Sequence, residues 1–486
     1  MDANSCPPNE RIGPIPVAQE IALRERLRNT NEKLETLIAM AHARMSRFPH
    51  RLRGIGGADN RYMVPSVVAI GPYHHGLPHL QQMEEVKHAA AHRFCGGSGR
   101  SVEEVYKKIL SIAGDARRSY DDASPPVAGL SDAEFADMMF VDACFLLWYL
   151  NPRRRGEDED QLRRGCRFSY RSSNIYKDIL RLENQIPLLV LEALMTDDSP
   201  VDLLERIQLE PAATAGFFNR EEENQEVIIR SPCIVTRFLM ACCRRRVPEE
   251  QSQTDTVTVE RSSSTISIAD SKPPHLLGLV RSSMISGMPR QKTSVSISGP
   301  SSLLSRSAVD LAQIGVKLAA SRAHWFADMK VRKKPICGEL SVSSLSLDDF
   351  GACCLVNMAA LEMAETLDAS SAAQTDAYVV SSYLSLLAML MDREEDVHEL
   401  RMRGVLRSSF SNAQTLAFFK ELSQHLRPGY NYYRTLAEIG NYMSQRWAWI
   451  AVHKFVYNYH RIIVAVLSIA GVLVSILKAL YSLKKP

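Results

Sequence analysis

The sequence lacks the short motifs that identify the common hydrolases, metalloproteases and nucleotide-binding proteins. It contains neither G-x-S-x-G nor H-E-x-x-H, the patterns that place a serine nucleophile or two zinc-binding histidines. The run Gly96-Gly97-Ser98-Gly99 precedes a predicted helix, where amide groups could receive an anion, but the lysine of a P-loop is missing. We therefore expect no cofactor and no small-molecule ligand, and we nominate no catalytic residue.

An excess of charge of one sign is also missing. The chain carries 58 basic and 55 acidic residues, a formal net charge of +3. That balance gives no domain-wide electrostatic footprint for DNA or RNA, so nucleic acid is not an expected partner. Hydrophobic residues make up 45% and charged residues 23%, an ordinary globular composition that excludes disorder throughout the chain.

The features of a secreted protein are missing as well. The amino-terminal residues contain no apolar signal core, and no asparagine lies in an N-x-[ST] acceptor site. The ten cysteines include no C-x-x-C pair, and Cys144 lies in the apolar run MMFVDACFLLWYL, as reduced, buried thiols do. We expect structural thiols and a cytosolic location for the bulk of the chain.

The apolar spacing predicts a mainly α fold, with one large helical domain over residues 18–435. Residues 1–17 are polar and proline-rich and indicate a flexible leader. An apolar stripe over 21–41 predicts a helix that docks on the domain or on a partner. The serine-rich segment 249–307 predicts a disordered insertion, within which HLLGLV, residues 275–280, could form a short anchored helix.

Local signals place several elements within this domain. Ser101 with Glu104, and Ser131 with Glu134, are S-x-x-E capping boxes that predict helix starts. Residues 46–82 have no helical period and predict an extended, ordered loop. The helical run 175–195 is interrupted at Pro187, with Asn184 as a candidate cap for its second half. Alternating residues around 316–347 predict a small pair of β-strands.

The carboxyl-terminal apolar run predicts one transmembrane helix over residues 462–483, preceded by a juxtamembrane segment, 436–461. Residues 462–477 carry no charge and no proline, and Lys478 near one end could extend to the headgroups. A buried core helix is the alternative. The predicted anchor residues are Ile462, Ile463, Val464, Val466, Leu467, Ile469, Val472, Leu473, Val474, Ile476 and Leu477.

This anchor predicts where the protein resides. We expect the lipid bilayer as a partner. We also expect a tail-anchored, single-pass protein of the plasma membrane or an endomembrane. The charges on the two sides of the helix nearly balance, so the cytosolic orientation follows from the missing signal and the reduced thiols rather than from the positive-inside rule.

Two groups of polar residues are candidates for a chemical role. PYHHGLPHL brings His74, His75 and His79 together with Glu84 nearby. Two interpretations are open: the histidines bind a metal ion, or they form hydrogen bonds to backbone within the loop. Adjacent histidines are not a recognised zinc spacing. Asn184, Gln185 and the acids Glu84, Glu183 and Glu362 stand beside apolar residues, which favours polar links between helices over paired catalytic carboxylates.

Several motifs, in order along the chain, resemble the plant family called domain of unknown function 247, also named uncharacterised protein family 0481. They include VPSVVAIGPYHHGLPHLQQMEEVKH, MMFVDACFLL, DILRLENQIPLLVL, HLLGLV, SAVDLAQIGVKL, NMAALE and SSYLSLLAML with EEDVHEL. The resemblance covers roughly residues 60–480. Its family-motif residues, without an implied role, are Gly71, Pro72, Tyr73, His74, His75, Glu84, Lys87, Glu183, Asn184, Gln185 and Pro187.

The resemblance implies no enzymatic activity that could be carried over. It implies for some grass members a part in pollen self-incompatibility. Ala143 stands where a glycine is usual, and Trp148 where an acid commonly follows CFLL, so a catalytic acid there is not supported. The sequence thus predicts an interaction or signalling protein with an unidentified protein partner. The alternative is an unrecognised enzyme that uses the IGPYHHG loop and nearby carboxylates.

Overall fold

Helices make up most of the described part of the chain. The computed structural model describes residues 24–31, 45–55, 60–121, 124–151, 172–195, 273–289, 306–321, 323, 325–334, 337–367 and 378–483. The predicted leader, 1–17, and most of the predicted insertion, 249–272 and 290–305, lie outside the described residues, as does most of the apolar stripe over 21–41.

The amino-terminal half contains helices and connecting loops. Its helices are α1 over residues 24–31, α2 Gln81–Ser98, α3 Val102–Arg118, α4 Pro125–Ala128, α5 Asp132–Tyr149, α6 Ser172–Ile179, α7 Leu188–Leu194 and α8 Leu276–Ile285. Short 3-10 helices lie at His50–Leu52 and Pro78–Leu80, inside the stretch predicted as an ordered loop. The residues of α1 are exposed.

The described residues of the carboxyl-terminal half add five strands. In chain order its elements are α9 Ala308–Gln313, β1 Val316–Ala320, β2 Met329–Lys333, β3 Gly338–Val342, β4 Leu345–Leu347, α10 Asp349–Leu367, α11 Val379–Leu390, α12 Glu394–Met402, β5 Leu406–Ser408, α13 Asn412–Ser423, α14 Tyr430–Gln445 and α15 Trp447–Leu483.

Both predicted capping boxes are confirmed, and they set the starts of α3 and α5. The side chain of Ser101 accepts a hydrogen bond from the amide of Glu104, while the Glu104 carboxylate accepts from the amide of Ser101. Ser131 and Glu134 do the same for α5. Helix α5 is buried on every side from Val141 onward. It packs against α2, α3 and α7, so it forms the centre of this half.

The predicted small β element is confirmed and is larger than expected. Strand β3 pairs in parallel with β1, Val316 opposite Gly338, and antiparallel with β2, Met329 opposite Val342. Strand β4 pairs in parallel with β5, more than fifty residues along the chain, with Leu345 opposite Leu406. Sequence alternation predicted one strand pair around 316–347, a range that contains β1 to β4, whereas β5 lies outside that range.

A buried ion pair joins α8 to the helices of the carboxyl-terminal half. Arg281 donates through Nε and Nη2 to Glu362 Oε1 at 3.1 and 2.9 Å. The same carboxylate accepts from the amides of Val380 and Ser381, which begin α11, each at 2.8 Å. One carboxylate therefore holds three helices, and the helix anticipated at HLLGLV belongs to the core.

The carboxyl-terminal helices continue beyond the predicted domain limit at 435. Helix α14 crosses that limit and buries Leu436, Ile439 and Tyr442. Helix α15 follows directly and contacts the domain near its start, where His453 Nδ1 lies 3.1 Å from the carbonyl oxygen of Gln313. The segment predicted as juxtamembrane thus belongs to helices that pack on the domain.

The predicted transmembrane anchor over 462–483 is wrong. Of the helices in the described part of the chain, none is both long enough and apolar enough to cross a bilayer. The uncharged stretch between Arg461 and Lys478 extends for about 24 Å at about 1.5 Å per residue, less than the hydrocarbon core of about 30 Å. The prediction of a single-pass, tail-anchored location depended on this helix and is wrong for the same reason.

The predicted anchor residues form the distal part of α15. The side chains of Ile462, Val464, Val466, Leu467, Ile469, Val472, Leu473, Val474, Ile476 and Leu477 are exposed there. The side chain of Ile463 lies outside the described set. The apolar run was thus correctly identified as helical, but its length was overestimated by counting residues beyond Lys478.

The Glu362 cluster provides a test of the packing. We expect Glu362→Ala to lower the free energy of unfolding by about 3 to 5 kcal/mol, because it leaves Arg281 and two amides buried without their acceptor. Urea denaturation followed by circular dichroism measures this. Glu399→Ala, which removes a partly exposed ion pair with Arg403, should cost less than about 1 kcal/mol. Equal losses for the two variants would contradict the assigned role of Glu362.

Candidate functional site

Two of the motifs, VPSVVAIGPYHHG over residues 64–76 and LENQIP over residues 182–187, meet in the core of the amino-terminal half. Residues 66–71 run beside the turn that joins α6 to α7, and Asp178 near the end of α6 binds their backbone. Its carboxylate accepts from the amides of Ser66, Val67 and Val68 at distances between 2.6 and 3.1 Å. Asp178 is fully buried, so three amides replace the water that a carboxylate needs.

Asn184 continues this binding along the same segment. Its Oδ1 accepts from the amide of Ile70 at 2.7 Å, and its Nδ2 donates to the carbonyl oxygens of Val68 and Asp178 at 3.0 and 2.9 Å. The side chain is completely buried. The sequence suggested Asn184 as a cap for the helix after Pro187, and this prediction is wrong. The side chain instead forms hydrogen bonds to the backbone of the loop, as a neighbouring β-strand would.

Gly71 lies where the loop passes closest to the turn. Its φ of +76° is left-handed, and a Cβ at this position would lie 2.5 Å from the carbonyl oxygen of Gln185. The same oxygen accepts a hydrogen bond from the hydroxyl of Tyr120 at 2.9 Å. Only glycine combines a left-handed φ with the absence of a Cβ that would collide with this oxygen. The amide of Gly71 donates to Asp142 Oδ2 at 2.8 Å, which ties the loop to α5.

Lys87 on α2 completes the attachment of the loop. Its Nζ lies 2.5 Å from Asp142 Oδ1 and donates to Glu84 Oε1 at 2.8 Å and to the carbonyl oxygen of Ala69 at 3.0 Å. Burial lowers the pKa of Lys87, but the carboxylates of Asp142 and Glu84 outweigh burial and raise this pKa above its ordinary value. The lysine is charged and has no free donor, so it serves structure.

Gln185 and Pro187 connect the turn to α8. Gln185 Oε1 accepts from the amide of Leu277 at 3.1 Å, and its Nε2 donates to the carbonyl oxygens of Ile179 and Arg181. Pro187 forms an isolated bridge with His275 and begins α7 without needing an amide donor. The LENQIP motif thus joins α6, α7, α8 and the loop.

Glu183 holds the segment that precedes the loop. We call residues 45–55 the strap. The amide of Phe48 donates to Glu183 Oε1 at 2.8 Å, and the guanidinium groups of Arg47 and Arg53 lie 3.5 and 3.7 Å from the same oxygen. Glu183 Oε1 is therefore shared by one amide and two guanidinium groups of the strap.

The histidines of the loop do not converge. His74 is buried and its Nε2 lies 3.9 Å from Glu183 Oε2, too far for a hydrogen bond. His75 is exposed, and His79 Nε2 lies 3.0 Å from the carbonyl oxygen of Pro65. In the described residues, no group of three metal-binding side chains is close enough to hold an ion, so the metal interpretation has no geometric support.

The remaining loop residues serve packing. Pro72 is buried, and Tyr73 packs edge-to-face on Tyr120 with ring centroids 5.5 Å apart. The Tyr73 hydroxyl donates to the carbonyl oxygen of Met45 at 3.1 Å. Arg47 lies over the ring of Tyr73, 4.2 Å from its centroid. These contacts position the first residues of the strap.

The space between the two motifs is too small for a substrate. The gap between Ile70, Asn184 and Gln185 has no volume for a water-sized molecule. The neighbouring surface holds a shallow depression of about 630 Å³, lined by Gln81, Gln82, Glu84, Glu85 and His88. Neither His74 nor Glu183 reaches it. The condition for the enzyme alternative, a deep pocket in which a loop histidine faces a carboxylate, is thus not met here.

Three residues central to this arrangement were not singled out from the sequence. Asp178 and Asp142 bind the loop amides, and Asn357 on α10 accepts from the amide of Leu182 at 2.9 Å while donating to Tyr62 O. A signal existed for each: a polar residue at a core position of an apolar helical run, which must find a partner. The sequence could not indicate which partner.

The buried histidines predict a loss of stability as the pH falls. Burial, reinforced at His74 by nearby guanidinium groups, lowers the pKa of His74 and of His275 to about 4 from the ordinary 6.5. Between these values the unfolded chain binds protons that the folded chain does not, so the free energy of unfolding decreases as the pH drops from 6.5 toward 4. The slope should reach at most about 1.4 kcal/mol per pH unit for each histidine.

Urea unfolding at several pH values measures that slope. The variant His74→Gln should reduce it, whereas His75→Gln, at an exposed position, should leave it unchanged. An undiminished slope in His74→Gln would contradict a neutral, buried His74.

Comparison with known proteins agrees with the motifs. The chain is 25% identical over 374 residues to a UPF0481 protein of Arabidopsis thaliana, covering 74% of this chain and 68% of the relative. No solved structure matches the chain.

A family model covers both motifs and the helices that they join. The model of DUF247, described as a plant protein of unknown function, matches residues 45–474, from the start of the strap into α15. The residues that build the strap, the loop and the turn are all inside that match, and the chain therefore belongs to the DUF247 family of plant proteins of unknown function.

Proposed function

We propose that this protein acts by binding other proteins, and that the strap is its binding surface. The proposal rests on the hydrogen bonds of four buried side chains. Each of them bonds to backbone within the protein: Lys87, Asp178, Glu183 and Asn184. Because these four side chains fix backbone, we infer that this part of the molecule offers a partner its surface rather than a reaction centre.

The strap is fixed in place before any partner arrives. The Met45 amide donates to the carbonyl oxygen of Ser119 at 2.6 Å, and Phe48, Leu52 and Ile55 are buried beneath it. Binding to a surface already ordered costs less conformational entropy than binding to a mobile one. The LENQIP turn, which holds the strap through Glu183, thus acts as its support.

The charge of the strap indicates the chemistry of the partner. The sequence MSRFPHRLRGI contains three arginines and one histidine and no acid. His50 and Arg51 are exposed, and Arg47 and Arg53 keep 41% and 36% of their side chains exposed although they share Glu183. One carboxylate offsets one of three guanidinium charges. An acidic segment of a protein complements this surface.

Photo-cross-linking tests the proposal in plant tissue. A photoreactive amino acid replaces His50 in the full-length chain, and in the control it replaces Arg407, an exposed residue of β5. We expect protein adducts from position 50 and few from position 407. Excess octaglutamate peptide should suppress the adducts at position 50, and octalysine should not. Nuclease-sensitive adducts, or equal adducts from both positions, would contradict the proposal.

A charge reversal gives the matched quantitative test. Fluorescein-labelled octaglutamate should bind the protein with an affinity that falls as salt rises. Arg51→Glu should weaken that binding about tenfold, because close charge pairs at interfaces couple by at least about 1.4 kcal/mol. Arg407→Glu should change it less than about twofold. Fluorescence anisotropy measures both, and equal effects would exclude the strap.

A further inference from the structure

Helix α15 carries an exposed apolar seam along most of its length. Eight residues follow one another at alternating spacings of three and four, which are the a and d positions of four heptads. They are Val452, Phe455, Tyr459, Ile462, Val466, Ile469, Leu473 and Ile476. Each keeps between 47% and 62% of its surface exposed. We call these eight residues the seam.

The domain packs against a different face of α15. Near the start of the helix, Ile450 packs on the hydrophobic core and His453 Nδ1 lies 3.1 Å from the carbonyl oxygen of Gln313. In the heptad register Ile450 and His453 occupy positions f and b. Val452 and Phe455 belong to the same turns of the helix and are nevertheless exposed. The seam therefore faces away from the domain even where the helix is docked on it.

The spacing of the seam is that of a coiled coil. An ideal straight helix has 3.6 residues per turn, so a strict repeat of 3.5 residues drifts around it by about 20° per heptad. Packing against a domain does not require such a repeat, whereas winding around another helix does. The rings of Phe455 and Tyr459, successive d and a residues, lie with their centroids 5.0 Å apart, so neighbouring seam residues share one face.

The residues beside the seam favour further copies of the same helix as its partner. The e and g positions between 462 and 478 carry no charge; they hold Ile463, Ala465, Ala470, Val472 and Leu477. The polar residues of this stretch all take positions c and f; they are Ser468, Ser475 and Lys478. Identical helices can therefore meet along the seam without placing like charges against each other.

The residue types of the seam indicate how many copies meet. Isoleucine occupies the d position in three successive heptads, at 462, 469 and 476, and Leu473 occupies an a position between them. Leucine at a with isoleucine at d favours three or four strands over two. The apolar e and g positions agree with this, because they widen the face that a bundle of more than two helices buries.

We propose that α15 assembles three or four copies of this chain into a coiled coil through the seam. The domains then lie outside the bundle, attached through the face of α15 that carries Ile450 and His453. Burial of the seam removes eight exposed apolar side chains per copy from water, which supplies the driving force for assembly.

Assembly would also place several straps on one particle. This consequence rests on the proposed function of the strap, because a partner with several acidic segments then binds with an avidity greater than the affinity of one strap. The assembly itself does not rest on it. The mass of the particle tests the seam whether or not the strap binds acidic peptides.

Analytical ultracentrifugation of the full-length protein in detergent-free buffer tests the assembly. We expect three or four times the mass of the 54.4 kDa chain. Ile469→Asp should give the mass of a single chain at a concentration at which the parent is assembled, because it places a charge in the bundle core. The matched control is Ser468→Asp, which adds the same charge one residue away at a c position and should stay assembled.

Three results would overturn the proposal. The first is a parent protein with the mass of a single chain. The second is equal disassembly by Ile469→Asp and Ser468→Asp, which would show association through general apolar contact. The third is flotation of the parent with phosphatidylcholine vesicles as a single chain, which would make a lipid surface the occupant of the seam. Far-ultraviolet circular dichroism checks that both variants keep the helical fold.

Photo-cross-linking tests the register of the seam in the assembled protein. A benzophenone amino acid replaces Leu473, a seam residue, and in the control it replaces Ser475 at a c position. After illumination, position 473 should give a covalent two-chain product on a denaturing gel, at least about tenfold more than position 475. Equal yields from the two positions would overturn the assignment of the seam.

The response of the strap separates the two proposals. Ile469→Asp should leave the affinity of a single strap for fluorescein-labelled octaglutamate unchanged, because residue 469 lies on the distal part of α15. A protein that assembles through the seam but does not bind octaglutamate would refute the strap and leave the seam intact. Binding of octaglutamate by a single-chain parent would do the reverse.

Discussion

The fold of the amino-terminal half depends on one constraint: the loop at residues 66–71 crosses the core without a neighbouring strand. Each buried amide needs an acceptor, and leaving one unpaired costs about 1 to 3 kcal/mol. Side chains provide these acceptors. Asp178 takes three amides, Asn184 takes Ile70 and Asp142 takes Gly71. These residues come from α5, α6 and the turn after α6, so satisfying the loop also fixes the helices.

The same constraint accounts for the density of polar residues in the two motifs. Glycine is required at position 71 by the approach of the Gln185 carbonyl oxygen, and Lys87 is required to balance Asp142. Such buried networks rigidify a core when every member is satisfied. The polar side chains of the motifs therefore hold the loop and the strap in place, and the strap is the surface that we propose binds a partner.

Local signals in the sequence predicted much of the fold. The capping boxes at Ser101 and Ser131 set helix starts because both partners lie within one turn. Long-range pairings were beyond reach: nothing local to Asp178 indicates the amides of Ser66 and Val67, more than 100 residues earlier. Asn184 was misread as a cap because local capping is its usual role. The prediction of a transmembrane anchor was wrong for a different reason. It extended the apolar run past Lys478, whereas the uncharged stretch before Lys478 is by itself shorter than the hydrocarbon core of a bilayer.

Hydrogen exchange of the loop amides tests the central claim most directly. The account predicts that the amides of Val67, Val68, Ile70 and Gly71 exchange as slowly as those of α5, because each donates to a buried side chain. It also predicts that Asn184→Ala raises the exchange rate of Ile70 far more than that of α5. If the loop amides of the parent protein exchanged at the rate of an unstructured peptide while α5 stayed protected, the loop would not be held by this network.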